Sequence, residues 1–162
     1  MAEYNVGILD AIEIALEAEQ KARDFYLDAF NKVSNEQGKD LLKQLADFEQ
    51  SHFAALTHLK NSLQKEHEYL EYKGTTFKEF KSKSISKQIE PDKEDVLHIL
   101  SIAIEAEEKA HHHYIKIAEI TVDNKGKDMF LKLADEELIH RRILSDEFYQ
   151  LSNRGGIWFW GD

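Results

Sequence analysis

Four stretches of the sequence place apolar residues at alternating four- and three-residue spacing, a pattern typical of amphipathic helices. The predicted helices span about residues 5–33, 36–68, 92–122 and 125–152. Polar turns separate the members of each pair, Ser34 and Asn35 in the first and Asp123 and Asn124 in the second. Because these turns are short, we expect each pair of helices to form an antiparallel hairpin, at 5–68 and 92–152.

Carboxylate and imidazole side chains interrupt the apolar stripe near the middle of every predicted helix. The interrupting residues are Glu19 in the first helix, Glu49 and His52 in the second, Glu107 in the third, and Glu137 and His140 in the fourth. Residues at this spacing share one face of a helix with their apolar neighbours. These six side chains are therefore predicted to point into the core.

The second hairpin repeats the first at an offset of 88 residues. Aligned without a gap, residues 7–60 and 95–148 are identical at 18 of 54 positions, which include all three pairs of interrupting residues. This similarity indicates an internal duplication in which each copy is one helical hairpin.

A segment at 69–91 without clear helical periodicity joins the two hairpins. A 30-residue helix is about 45 Å long, and about 22 extended residues reach about 70 Å, so the segment is long enough to cross the whole bundle. We therefore predict an all-α four-helix bundle in which two duplicated antiparallel hairpins, joined by a long crossover, face each other about a pseudo-two-fold axis. The interrupting residues of all four helices would then meet at one level.

Composition narrows the range of functions. At 162 residues the chain has the size of one domain, which we place at 1–153, followed by an aromatic tail at 154–162. There is no Cys, which excludes disulfides and iron-sulfur or rubredoxin-type centres within this sequence. The net charge of -10 argues against nucleic acid or a membrane as partner, and with no signal-like N-terminal segment we expect a cytoplasmic protein.

Four carboxylates gathered in a dry interior repel one another, and two protonated histidines would not balance them. No Lys or Arg lies on the four stripes, so a pair of divalent metal ions is the simplest source of positive charge. Carboxylates with one imidazole per ion favour iron, with manganese as the alternative, over zinc or calcium. One Glu from each of two helices and one Glu-x-x-His from each of the other two is the ligand set of di-iron and di-manganese carboxylate bundles. By that pattern Glu49 and Glu137 would bridge the ions, Glu19 and Glu107 would be terminal ligands, and each histidine would bind one ion.

Tyr26 and Tyr114 lie seven residues after Glu19 and Glu107 and on the same helix faces. Their hydroxyls could donate hydrogen bonds to ligand carboxylates across the bundle, which makes them the candidate catalytic residues beside the metals. The alternative is that both are core aromatic residues whose hydroxyls bind elsewhere.

The segments 19–26, 49–52, 107–114 and 137–140 resemble those of rubrerythrins, which share the Glu-to-Tyr spacing and one Glu-x-x-His in each half. The resemblance covers both hairpins and implies a ferritin-like four-helix bundle. It also implies a di-iron centre with two iron ions that reduces hydrogen peroxide to water. Rubrerythrins usually have a further glutamate, which exchanges with a histidine on oxidation, at the position of Ala110. They also often have a rubredoxin domain, so without Cys this chain is expected to need a separate electron-donor protein.

Other functions compatible with the sequence are oxidation of Fe(II) by oxygen in an iron-binding protein, a helical module that binds metal without redox activity, and a manganese catalase. We expect a homodimer, and the long crossover would allow exchange of hairpins between chains. His111 is placed at the edge of the bundle, His112 and His113 on a solvated face, and the tail at 157–160 against the bundle or a neighbouring subunit.

Overall fold

The computed structural model describes residues 6–75 and 93–153, and all regular structure in those ranges is helical. The helices are α1 (Val6–Lys32), α2 (Glu36–Lys65), α3 (Lys93–Ile120) and α4 (Asn124–Asn153). The predicted all-α four-helix bundle is thus confirmed. Most of the crossover and the aromatic tail lie outside the described residues. Within the described ranges, no helix has a stretch apolar and long enough to cross a bilayer.

The helices pack as two hairpins, α1 with α2 and α3 with α4, and the hairpins also contact each other along α1 and α3. The side chain of Asn35 caps α2 by accepting hydrogen bonds from the backbone N–H groups of Gln37 and Gly38, at 2.9 and 3.2 Å. The second helix ends three residues before its predicted end. The chain leaves the helix there because His67 adopts a left-handed φ of 59°.

The buried apolar residues form two clusters, and each draws side chains from all four helices. One cluster includes Ile12 and Leu59, and the other includes Leu42 and Leu100. The six predicted ligand residues lie between the two clusters along their helices and are buried like the core, with 2% or less of each residue exposed. The bundle therefore consists of two apolar layers that hold a polar layer between them.

The first part of the crossover follows α4 toward this polar layer. The ring of Tyr69 packs so closely on Gly126, near the start of α4, that a Cβ atom there would overlap it. Lys132 then donates a hydrogen bond from Nζ to the carbonyl oxygen of Tyr72 at 3.0 Å. Residues 69–75 thus run along one side of the bundle, as the predicted crossover requires.

Candidate metal centre

The structure brings all six predicted ligand residues together in the polar layer, and each side chain comes from the helix to which the sequence assigned it. Their exposed fractions are 2% or less. The apolar residues on either side of them along each helix are buried in the two core clusters, which forces the polar side chains between them to point inward.

The six residues form two groups of four whose possible ligand atoms lie within 4.8 Å of one another. One group contains Glu19 and His52, the other contains Glu107 and His140, and both contain Glu49 and Glu137. Two carboxylates are therefore shared between two neighbouring positions for a metal ion.

The first group is arranged around Nδ1 of His52. This atom lies 3.0 Å from Oε1 of Glu137, 3.4 Å from Oε1 of Glu19 and 3.9 Å from Oε2 of Glu49. Three carboxylates from three helices thus converge on one imidazole nitrogen.

The second group repeats this arrangement around His140. Its Nδ1 atom lies 3.2 Å from Oε1 of Glu49, 3.5 Å from Oε1 of Glu137 and 3.6 Å from Oε2 of Glu107. The rings of His52 and His140 are nearly parallel, with their centroids 6.0 Å apart. The duplication of the sequence is therefore also a duplication of the inner site.

The two tyrosines bind the carboxylates that are not shared between the groups. Tyr26 donates a hydrogen bond to Oε1 of Glu107 at 2.5 Å, and Tyr114 donates one to Oε1 of Glu19 at 2.6 Å. Burial, and then the negative charge of the bonded glutamate, raises the pKa of both hydroxyls well above 10, so both keep their protons at neutral pH. Each tyrosine thus fixes a carboxylate of the opposite hairpin, while its catalytic role stays a prediction.

Without metal, the layer cannot hold four ionised carboxylates. Burial and then the charge of neighbouring glutamates raise the pKa of Glu49 and Glu137 well above 4.5. Burial alone would raise the pKa of Glu19 as well, but the nearby His52 cation and hydrogen bonds lower it. Burial likewise disfavours the His52 cation, yet Glu19 and Glu137 raise its pKa well above 6.5. The polar layer therefore requires positive charge to balance its carboxylates, and bound protons provide that charge when no other cation is present.

Several carboxylate oxygens in this layer are buried without a hydrogen bond, namely Oε2 of Glu19, both oxygens of Glu49, Oε2 of Glu107 and Oε1 of Glu137. Buried polar atoms without partners are costly, and carboxylate oxygens are ligands for divalent ions. The donor set, its burial and its surplus of negative charge therefore fit a pair of divalent metal ions.

Glu136 is a buried carboxylate of this region that the sequence analysis missed. Its Oε1 accepts hydrogen bonds from Nε2 of His52 at 3.2 Å, the Tyr72 hydroxyl at 3.1 Å and the Thr75 backbone N–H at 3.1 Å. Burial raises the pKa of Tyr72 to about 12, so its hydroxyl remains a donor. A proton held on Nε2 leaves Nδ1 of His52 available as a metal ligand.

The corresponding position in the first hairpin is Phe48, whose ring meets the ring of His140 edge-on at 5.0 Å between centroids. The two histidines therefore differ in their outer contacts, a carboxylate for His52 and an aromatic ring for His140. The replacement of a phenylalanine by a glutamate within the repeat was the only sequence signal of this difference.

Two other histidines of α3 bond to backbone carbonyl oxygens of neighbouring helices, and only His113 departs from its predicted place. His111 is half-buried and bonds through Nδ1 to the carbonyl oxygen of Ala134 at 2.8 Å, outside both ligand groups. His113 was expected on a solvated face, but it is half-buried and bonds through Nε2 to the carbonyl oxygen of Ala11 at 3.0 Å. It is thus one of the contacts that tie α3 to α1.

A cavity of about 540 Å³ lies between α1 and α3 and reaches the polar layer from that side. All four carboxylates of the two ligand groups line it, whereas His52 and His140 do not. The carboxylates therefore separate the cavity from the histidines, and the cavity is an approach to the site for small molecules.

The relatives of this chain agree with the geometry. A structure of a hypothetical protein from Pyrococcus furiosus is similar at 26% sequence identity, with a TM-score of 0.73 over 95% of this chain and 94% of that one. No curated protein matches significantly. The family model described as rubrerythrin matches residues 10–148, which include all six predicted ligand residues and both tyrosines. The chain therefore belongs to the rubrerythrin family.

Proposed function

We propose that this protein is a di-iron oxidoreductase that reduces hydrogen peroxide to water with electrons from a separate donor protein. The observation that carries the proposal is the pair of four-residue ligand groups that share Glu49 and Glu137. Two metal positions with common ligands suit a reaction that needs two electrons at one place. Two bound iron ions would supply one electron each.

The protein would contribute the position of each ligand and the protection of the site from water. The hydrogen bonds from Tyr26 to Glu107 and from Tyr114 to Glu19 hold the two unshared carboxylates in place. Glu136 holds the Nε2 proton of His52, which keeps Nδ1 directed at the carboxylates. Peroxide would enter through the cavity between α1 and α3, because the carboxylates face that side.

The decisive experiment compares two oxidants of the reduced protein. Metal analysis after anaerobic loading should give two irons per chain. Stopped-flow absorbance then follows oxidation by hydrogen peroxide and, separately, by oxygen. Peroxide is expected to react far faster than oxygen. A site that holds zinc, or iron without any redox response, would instead support a helical metal-binding module.

Oxidation of Fe(II) by oxygen is the second candidate, and one observation favours it. These 162 residues contain no Cys that could hold a rubredoxin-type iron. If Fe(II) is itself the electron source, the protein needs no separate electron carrier. Faster reoxidation by oxygen than by peroxide would support this ferroxidase over the peroxidase. Manganese in the purified protein, with release of oxygen from peroxide, would point to a catalase.

We further expect a cytoplasmic homodimer. The described part of the crossover, residues 69–75, binds along α4 of its own chain. Light scattering gives the mass in solution. Hybrids of two ligand-deficient chains, each defective in a different hairpin, regain a complete site only if hairpins are exchanged between chains.

A further inference from the structure

The cavity between α1 and α3 is much larger than hydrogen peroxide requires. Its volume of about 540 Å³ lies within the range of about 300–1,000 Å³ that is usual for pockets that bind small organic molecules. A water-sized molecule needs only about 10–15 Å³ of such a volume. The size alone therefore suggests a second, bulkier occupant.

The walls of the cavity are apolar, and small residues line it on both sides. Six alanines line it: Ala15, Ala18 and Ala22 on α1, and Ala103, Ala106 and Ala110 on α3. Ile14 and Ile102 also line it, and both are exposed to solvent. Such walls offer no hydrogen bond to a small polar peroxide. An alkyl or aryl group, in contrast, is stabilised when it leaves water and is buried against them.

The lining is repeated far more strictly than the rest of the duplication. Its 18 residues form nine pairs at the 88-residue offset, and eight pairs are identical, Phe25 and His113 being the exception. Over the whole alignment only 18 of 54 pairs are identical. Both copies have thus kept the small side chains that leave the cavity open.

The inner end of the cavity is formed by the predicted ligand carboxylates. Glu19, Glu49, Glu107 and Glu137 line it, and oxygens of all four are buried without a hydrogen bond. Without metal these carboxylates would repel an anionic head group, and two divalent ions would only balance their charge without adding a positive excess. The lysines at the rim offer no compensation, since Lys21 and Lys109 are exposed and pair with Glu17 and Glu105. The cavity therefore suits a neutral molecule with an apolar body and a small polar end.

We propose that neutral organic hydroperoxides are substrates of this site, with their apolar group held between α1 and α3. This rests on the proposed function, whose substrate class it extends. The O–O bond of ROOH breaks, and the products are the alcohol ROH and water. Oxidation of two Fe(II) to Fe(III) supplies the two electrons, and two protons come from solvent.

Binding can be tested without iron or turnover. The probe is 2-phenyl-2-propanol, the alcohol formed from cumene hydroperoxide, added to metal-free protein with ¹³C-labelled alanine methyl groups. The methyl signals of Ala18 and Ala106 should shift in a saturable way. The signal of Ala54, an exposed alanine of α2 that does not line the cavity, should not move. Absence of a saturable shift at Ala18 and Ala106 would overturn the proposal.

Turnover is tested with the iron-loaded, reduced protein in stopped flow against hydrogen peroxide, tert-butyl hydroperoxide and cumene hydroperoxide. Both organic hydroperoxides should oxidise it. The half-saturating concentration should be about tenfold lower for cumene hydroperoxide than for tert-butyl hydroperoxide, because its phenyl ring buries more apolar surface.

Variants then tie the selectivity to the cavity. Ala18→Leu and Ala106→Leu add bulk at exposed positions of the lining, where leucine is a good helix former. The ratio of the rate constant for cumene hydroperoxide to that for hydrogen peroxide should fall about tenfold, or ~1.4 kcal/mol in differential barrier. The matched control Ala54→Leu should leave the ratio unchanged.

The outcomes separate this proposal from the one on which it rests. Rapid oxidation by hydrogen peroxide but not by organic hydroperoxides would overturn the substrate class and leave the peroxidase intact. No reaction with any peroxide would overturn both. An unchanged ratio in both leucine variants would overturn the assignment of the cavity.

Discussion

The surroundings of the two predicted histidine ligands differ, although the site as a whole is duplicated. His52 and His140 occupy equivalent positions and face equivalent carboxylates. Nε2 of His52, however, is hydrogen-bonded to the carboxylate of Glu136. At the equivalent place, the ring of Phe48 packs edge-on against the ring of His140. The duplication is therefore preserved in the six predicted ligands and in the two tyrosines, but not at the position of Glu136 and Phe48.

This difference has a chemical consequence for the two metal positions. A carboxylate that accepts the second N–H of a ligand histidine fixes the ring of that histidine and makes it a stronger base, and Glu136 can do this for His52. The contact with Glu136 should therefore strengthen the binding of an ion next to His52.

The largest effect is expected for the ligands that both positions share. Glu49→Ala and Glu137→Ala should each lower the affinity for both ions by more than about 100-fold, since loss of outer partners alone costs about 10–100-fold. The helices should persist, because the apolar layers on either side remain. Metal analysis and circular dichroism test this, with the exposed Glu17→Ala as control. Two ions retained in either variant would contradict the sharing of these carboxylates.

A smaller effect, confined to one position, is expected when the outer contact is made symmetric. Glu136→Phe gives both histidines an aromatic neighbour and should weaken one of the two stepwise binding constants about 10–100-fold. Glu136→Gln keeps an acceptor oxygen and should retain most of that affinity. Competitive metal titration resolves the two steps. Asp135→Phe changes the exposed neighbouring residue and serves as control. Equal weakening of both steps by Glu136→Phe would contradict the expectation that Glu136 acts on one position alone.

A pH titration of the metal-free protein tests the carboxylates that the two halves have in common. The folded-state pKa values of Glu49 and Glu137 are raised above 4.5, so the folded state binds more protons than the unfolded state from about pH 4.5 upward. The raised pKa of His52 acts in the same direction above 6.5. Stability is therefore lost as the pH rises, by up to ~1.4 kcal/mol per pH unit for each proton released.

The measurement is urea unfolding of metal-free protein between pH 5 and 8. Glu49→Gln and Glu137→Gln should each reduce the slope of the unfolding free energy against pH by a similar amount, because the two residues occupy equivalent positions in the repeat. Metal-loaded protein should show the opposite trend, since protons compete with metal for the same ligands. A flat profile without metal would contradict the raised pKa values, and unequal shares would extend the asymmetry to the inner ligands.

The sequence was sufficient for the parts of the molecule that depend on helical periodicity. The four helices and the inward direction of Glu19 or His140 follow from spacing within one helix, and the predicted ends are correct to within about three residues. The end of α2 was placed too late because the polar residues Glu66 and Glu68 are compatible with a helix, and only the left-handed φ of His67 ends it.

Contacts between distant segments were not predictable in this way. Glu136 is adjacent to a ligand, and periodicity does not explain its burial. It is buried because residues 72–75 of the crossover lie over it and donate hydrogen bonds to it. His113 likewise appeared solvated until α1 was placed beside it, where the carbonyl oxygen of Ala11 accepts its hydrogen bond. In both cases the missing information is which segment covers a helix face.

The smallest effect is expected where the two halves remain alike, at the tyrosines. Tyr26→Phe and Tyr114→Phe each remove one buried hydrogen bond to a carboxylate, which is worth about 1.5–3 kcal/mol when the acceptor is charged and less once a metal neutralises it. Each variant should therefore weaken metal binding by about tenfold or less. Because the repeat is intact here, the two losses should agree within the error of the titration, and the exposed Tyr149→Phe should cause none. A large difference between them would mean that the inequality of the two halves extends beyond Glu136 and Phe48 to the unshared ligands themselves.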